Sequence, residues 1–220
     1  MSLLALPLLP LLLGVTPDSV FVSEVVYNPA GTEPDGEWIE LVNTADVAVS
    51  LDELRLGDSE SEPDNEGILQ FPAGTTIPAR GHIVVANKSS AYQATSGRKA
   101  HFELKASDAT VPDLTADTAM GGTLAMSLAN TTDEVFLFDL EGFIVDGVTW
   151  GRSSPVQGVA DVEAPEGQSL QRDFTADGPG PWRAAAPTPG VVVIDIAAPA
   201  EGEGEGEGEG EGEGEPVAGE

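Results

Sequence analysis

Carboxylates dominate the chemistry that this sequence could carry. The run Asp58-Ser59-Glu60-Ser61-Glu62-Pro63-Asp64-Asn65-Glu66 concentrates hard oxygen donors in one segment after an apolar run. Asp58, Glu60, Glu62, Asp64 and Glu66 are therefore candidate calcium ligands, because Ca²⁺ takes six to eight such oxygens. Their spacing fits no EF-hand frame, and a solvated acidic loop is the simpler reading, which we prefer. Glu33-Pro34-Asp35-Gly36-Glu37 reads more simply still, as a turn between two strands. Paired carboxylates could also hydrolyse a glycoside. A chain with 38 acids forms such pairs by chance, so only a cleft with two buried, facing carboxyl groups would favour that chemistry.

Other catalytic inventories are poor. The chain has no cysteine, which excludes disulfides, thiolate zinc sites, iron–sulfur clusters and cysteine nucleophiles. Its two histidines, His82 and His101, stand at a strand start and beside Arg98-Lys99. Neither accompanies a Gly-x-Ser-x-Gly elbow, and two isolated imidazoles make a poor zinc site. There is no phosphate-binding glycine loop and no basic-aromatic surface. Trp38, Trp150 and Trp182 read as core or rim packing rather than as the lining of a sugar cleft. The chain is not expected to be an enzyme, and no cofactor is expected apart from calcium.

The 220 residues carry 38 acids against 9 bases, a net charge of −29. Nine of those acids lie at or beyond Glu201, which leaves 29 against 9, or −20, for residues 1–200. Such a surface repels nucleic acid, whose affinity rests on Lys and Arg displacing counterions, and it repels anionic membranes. Neither nucleic-acid binding nor membrane insertion of the mature domain is expected.

The elements that must position these residues are short strands. Val20 to Tyr27, Glu37 to Asn43, Val47 to Leu56, Ile68 to Phe71, His82 to Ala86, Glu134 to Asp139, Phe143 to Trp150 and Ser169 to Phe174 are rich in β-branched and aromatic residues, with Gly, Pro, Asn and Asp between them. Within the second run, Trp38, Glu40 and Val42 alternate with Ile39 and Leu41. Leu140-Glu141-Gly142 reads as a hairpin turn, and residues 105–122 as an inserted loop with at most one short strand or turn. No stretch shows sustained helical periodicity. The pattern predicts an all-β, antiparallel sandwich or barrel over residues 18–190.

The ends differ from the middle. Residues 1–17 contain the apolar run Leu3 to Leu13, too short to span a bilayer and suited to a signal-peptide core. No Lys or Arg precedes it, and Gly14-Val15-Thr16-Pro17 is a poor cleavage site. Export, to the medium or the cell surface, is nonetheless the preferred reading. Residues 191–220 form a linker and a Glu-Gly tail. Alternating Gly and charge from Glu201 to Glu215 offers nothing to offset the entropy of ordering, so a disordered spacer is expected.

Three segments resemble the lamin-tail domain family of bacterial exported type. Val22-Ser23-Glu24-Val25-Val26-Tyr27-Asn28-Pro29 followed by Gly36-Glu37-Trp38-Ile39-Glu40-Leu41-Val42-Asn43 resembles that family's opening hairpin. Phe71-Pro72-Ala73-Gly74 through Ala79-Arg80-Gly81-His82-Ile83-Val84-Val85-Ala86 resembles its Pro-Gly loop and next strand, with Arg80 where glycine is common. Asp133 to Asp146, Ser169-Leu170-Gln171-Arg172, Trp182 and Thr188-Pro189-Gly190 resemble its closing strands. The resemblance implies an immunoglobulin-like sandwich without a catalytic centre, a scaffold for contact with a protein or cell-surface component. A calcium-dependent adhesive or carbohydrate-binding module is the alternative, and a carboxylate-pair hydrolase a third.

One structural expectation concerns the scarce bases. Glu24 and Glu40 interrupt apolar faces of the opening hairpin, and a half-buried carboxylate needs a partner. Arg172 is expected to bridge the closing strand to one of them. Its alternative is an exposed pairing with Asp173.

Overall fold

The computed structural model describes residues 17–58, 67–123, 126–152, 156–175 and 177–195. The leader through Thr16, the segment 59–66 and the Glu-Gly tail lie outside the described residues. So do four of the five calcium candidates, Glu60, Glu62, Asp64 and Glu66.

After a 3-10 turn at Pro17–Ser19, the chain forms β1 (Val20–Val26), β2 (Trp38–Asn43), β3 (Val49–Ser50), β4 (Arg55–Gly57), β5 (Ile68–Gln70), β6 (Thr76–Ile77) and β7 (His82–Ala86). Helix α1 (Ser89–Ser96) follows, then β8 (Phe102–Glu103), β9 (Thr115–Ala116), β10 (Asp133–Phe138) and β11 (Ile144–Trp150). The closing region holds β12 (Ala160–Asp161), β13 (Ser169–Gln171), β14 (Phe174–Thr175), β15 (Gly178–Pro179), β16 (Arg183–Ala185) and β17 (Ile194–Asp195).

Two six-stranded sheets carry the architecture, in the orders β16-β13-β1-β2-β7-β8 and β12-β11-β10-β4-β5-β9. Their pairings are antiparallel except where β8 joins β7 and β12 joins β11. Val22, Val25, Ile39, Leu41, Ile83 and Val85 of the first sheet meet Leu56, Leu69, Val135, Leu137, Val148 and Trp150 of the second in one buried core. Tyr27 stacks on Trp150 at 4.2 Å. Its hydroxyl donates to the Ala164 carbonyl at 2.8 Å and accepts from the Ala164 amide at 2.7 Å, which pins the segment before β13. This is the all-β, immunoglobulin-like sandwich that the strand pattern and the resemblance predict.

A bulge in β1 decides what faces where. The register with β2 shifts between Val22 and Glu24, so Ser23 is the extra residue. Strict alternation would send Glu24 into the core beside Val20 and Val22. The bulge turns it to the outer face and brings Val25 and Tyr27 inward instead.

Two expectations need correction. Helix α1 exists where no helical pattern was visible. It buries only Ser89 and Tyr92, so it has no apolar stripe to read. Lys88 at its N-terminus makes no side-chain cap, and Gly97 ends it at φ +73°. The expected single strand from Ser169 to Phe174 is two strands, separated at Arg172-Asp173 where Arg172 turns into the protein.

Candidate functional site: a carboxylate pair beneath a strap

Glu24 and Glu40 stand directly opposite one another in the β1–β2 register, on the outer face of the first sheet, at 2% and 1% exposure. Like charges so placed repel. The segment Pro187-Thr188-Pro189-Gly190 crosses above them as a strap. The Thr188 amide donates to Glu24 Oε1 at 2.8 Å, the Thr188 hydroxyl to Glu24 Oε2 at 2.9 Å, and the Gly190 amide to Glu40 Oε2 at 2.8 Å. From the sheet side, the Ser169 hydroxyl donates to Glu24 Oε1 at 2.6 Å and the Ser23 hydroxyl to Glu40 Oε1 at 2.9 Å.

All four carboxyl oxygens therefore accept hydrogen bonds from the chain itself. Burial pushes the Glu24 carboxyl up, against these bonds and the nearby Arg183. Burial also lifts Glu40 to about 7, with Glu24 adding to the rise. These are the two buried, facing carboxyl groups that would favour a hydrolase. Their oxygens are engaged by the strap and the sheet rather than presented to a substrate.

The strap divides two cavities. One, of about 500 Å³, lies between the loop after β1, helix α1 and the prolines of the strap, with Val26, Pro29, Trp38, Ala94, Pro187 and Pro189 in its wall. The other, of about 180 Å³, is lined by Glu24, Glu40, Arg172, Arg183 and Thr188. Trp38, 4% exposed, packs edge-on against Tyr92 of α1 at 5.7 Å. Trp150 is fully buried and donates to the Ala129 carbonyl at 2.7 Å, while Trp182 is partly buried against the core.

Arg172 does not bridge to Glu24 or Glu40, nor does it pair with Asp173. It is 8% exposed and forms an ion pair with Asp146 of β11. Its Nε donates to the Val22 carbonyl at 2.9 Å. Its guanidinium lies 4.6 Å from the Trp182 ring, 5.4 Å from Phe174 and 5.8 Å from Phe21. Asp173 pairs with Arg183 instead. The end of the sandwich is indeed fastened to its beginning, but Thr188 and Gly190 do so on the glutamates, and Arg172 joins one sheet to the other.

Asp58, the first calcium candidate, is 2% exposed and turns inward. It accepts from the Gly67 amide at 2.6 Å and the Ser127 amide at 3.2 Å. Burial raises its carboxyl to about 7. Among the described residues no three His, Asp or Glu side chains are grouped to hold a metal ion. His82 and His101 meet edge to face at 5.8 Å, and His101 Nδ1 accepts from the Val84 amide at 3.0 Å. That bond makes His101 an extension of the sheet edge.

Sequence reasoning missed Thr188, Gly190, Ser169, Ser23 and Asp146 as partners. The Thr-Pro-Gly ending was the one visible signal, and its role shows only once the strap is seen lying on the opening hairpin.

No curated protein matches the chain. Among solved structures, a DUF4876 family protein from Bacteroides thetaiotaomicron is similar, with a TM-score of 0.53 at 12% identity. The match covers 73% of this chain and spans 64% of the length of that protein. At this identity the likeness is one of fold. Among the described residues no helix is long and apolar enough to cross a membrane. The sequence profile of the lamin tail domain matches residues 16–152, which take in both hairpins that build the core and both glutamates beneath the strap, so the chain belongs to the lamin tail domain family.

Proposed function

We propose that this lamin tail domain is a non-catalytic interaction or structural module, exported or displayed at the cell surface, that contacts a protein or cell-surface component. The observation that carries the reading is the state of the facing glutamates. Both are buried, and every oxygen accepts a hydrogen bond from the chain's own strap or sheet. A general acid or nucleophile needs an oxygen within reach of substrate. At least six of the nine bases are likewise spent on ion pairs. Among the described residues, an acidic surface and the apolar cavity beside the strap are open to contact. The acidic surface also supports a reading in which nucleic acid is not a partner.

Binding of the full chain to envelope preparations of the producing cell, with and without EDTA, tests this. Saturable binding that survives EDTA is expected, together with labelling of the protein on intact cells. Binding abolished by EDTA would point to the calcium-dependent alternative. Hydrolysis of a glycoside reporter that disappears in E24Q would overturn the non-catalytic reading.

A further inference from the structure

The strap is fixed at both ends and lightly held between them. Before it, β16 pairs with β13, and Gln171 Nε2 donates to the Ala186 carbonyl at 3.0 Å. After it, β17 pairs with β14. Across the middle, three hydrogen bonds to Glu24 and Glu40 hold Thr188 and Gly190 down. Pro187 and Pro189 wall the larger cavity, and Thr188 lines the smaller. The strap is thus the partition between them. Gly190, at φ +72°, lies so close to the sheet edge that a Cβ there would stand 2.7 Å from Arg98 Nη1 and 3.2 Å from His82 Nε2. The surface beneath it fits a bare backbone.

We propose that the Pro187–Gly190 strap is a gate latched by Glu24 and Glu40, closed while the pair keeps a proton and lifting when both carboxyl groups ionise, so that the two cavities join into one groove along the outer face of the sheet.

The argument starts from the cross-strand geometry. Two carboxylates opposite one another under a cover of protein are poorly hydrated and repel. Amide donors strengthen their bonds to a charged oxygen, but for both groups burial outweighs those bonds and raises the carboxyl. With the strap seated, the facing pair is 2% and 1% exposed, so the closed state disfavours a second charge and lifting the strap lets water solvate it. By linkage, each unit by which closure raises a carboxyl weakens closure about tenfold once the group has ionised.

The charged groups packed around the pair do not cancel this. Arg183 of β16 acts on Glu24 but is exposed and paired with Asp173. Arg172 is committed to Asp146. Arg98 lies beyond Gly190. His82 and His101 have their imidazoles pushed down, chiefly by burial, so they are neutral where Glu40 titrates. The Tyr92 phenol of α1 is raised by burial and stays uncharged there.

Amide hydrogen exchange of the full chain, corrected for the intrinsic rate, tests the gate. Between about pH 6 and about pH 9, protection at Thr188 and Gly190 should fall about tenfold or more relative to the core amide of Leu41. In E40Q the fall should be much smaller, because a neutral amide cannot ionise. If E40Q does not fold, E24Q serves as the same test. Thr188→Val should lower protection at every pH without steepening its pH dependence. Protection at Thr188 and Gly190 that tracks Leu41 across the whole range would overturn the proposal. So would an equal fall in wild type and in the folded glutamine variant.

Discussion

Replacing Arg172 with alanine probes the strongest link between the two sheets. The side chain makes a buried ion pair with Asp146, a hydrogen bond to the Val22 carbonyl and contacts with three aromatic rings. Asp146 also accepts from the Val22 amide at 2.8 Å, so arginine and aspartate together satisfy both backbone groups of one residue in β1. Deleting one member of a buried pair strands the other, at roughly 3–5 kcal/mol. The ring contacts, worth about 2 kcal/mol when desolvated, place Arg172→Ala toward the upper part of that range. Burial already raises the Asp146 carboxyl, with Arg172 opposing the rise. Without the arginine that opposition is gone, and the aspartate should take up a proton more readily. The mutant's deficit should therefore shrink as pH falls, and Asp146→Asn should recover part of it at neutral pH. Urea unfolding of wild type, R172A, D146N and the double variant measures all three effects. A midpoint for R172A equal to wild type, or a deficit independent of pH and of Asp146, would refute the reasoning.

Arg80 sits at φ +53°, in the left-handed region that costs a side-chain-bearing residue about 1–2 kcal/mol. Arg80→Gly should stabilise the fold by about 0.5–1 kcal/mol after its greater unfolded-state entropy is counted, and a lower melting temperature would contradict this. Glu103, fully buried, accepts from the amides of Ser89, Ser107 and Asp108 and from the Ser107 hydroxyl. Burial pushes its carboxyl up, but these bonds outweigh it and hold the group below its usual value. Its contribution to stability is present at neutral pH and lost as pH falls through that lowered value. Glu103→Gln sets an NH₂ against those donors and should cost about 2–4 kcal/mol, with α1 losing amide protection first; an unchanged urea midpoint would rule that out. Glu40 and Asp58 are raised to about 7 and Glu37 to about 8, each chiefly by burial. The stability they contribute is full below their ordinary values and lost as pH rises through the raised ones. Melting temperature should therefore decline from about pH 5 to about pH 9, and a rise over that range would show these carboxyl groups to be ordinary.

Strand content was legible wherever a period of two coincided with turn residues. β2 alternates Trp38, Glu40 and Val42 against Ile39 and Leu41, and the hairpin of β10 and β11 turns at Gly142, which has φ +85°. The bulge at Ser23 was not legible, because an extra residue in an apolar run leaves the composition of that run unchanged. Helix α1 was hidden because its N-terminal amide at Ser89 is satisfied by Glu103, 14 residues later, rather than by a local cap. The partner of Arg172 was unreadable for a related reason. Asp146 faces it from the opposite sheet, and nothing local distinguishes that acid among 38. The acidic run gave no sign that Asp58, a calcium candidate within a solvated acidic segment, is buried and accepts from the Gly67 and Ser127 amides.

Few of the buried carboxyl groups are paired with a base. Of the seven acids buried among the described residues, Asp117 and Glu134 pair with Arg55 and Arg152, and amides and hydroxyls satisfy the others. Backbone amides stand free in irregular segments, where no ladder consumes them. A buried carboxylate on a strand or next to its end consequently selects a loop and holds it: Glu24 takes Thr188, Glu40 takes Gly190, Glu37 takes Leu128 and Asp58 takes Ser127. Each of these carboxyl groups is raised by burial, and in each the bond from the loop amide opposes that rise. The acids of the first strands and of the residues beside them thus set down loops that follow much later in the chain.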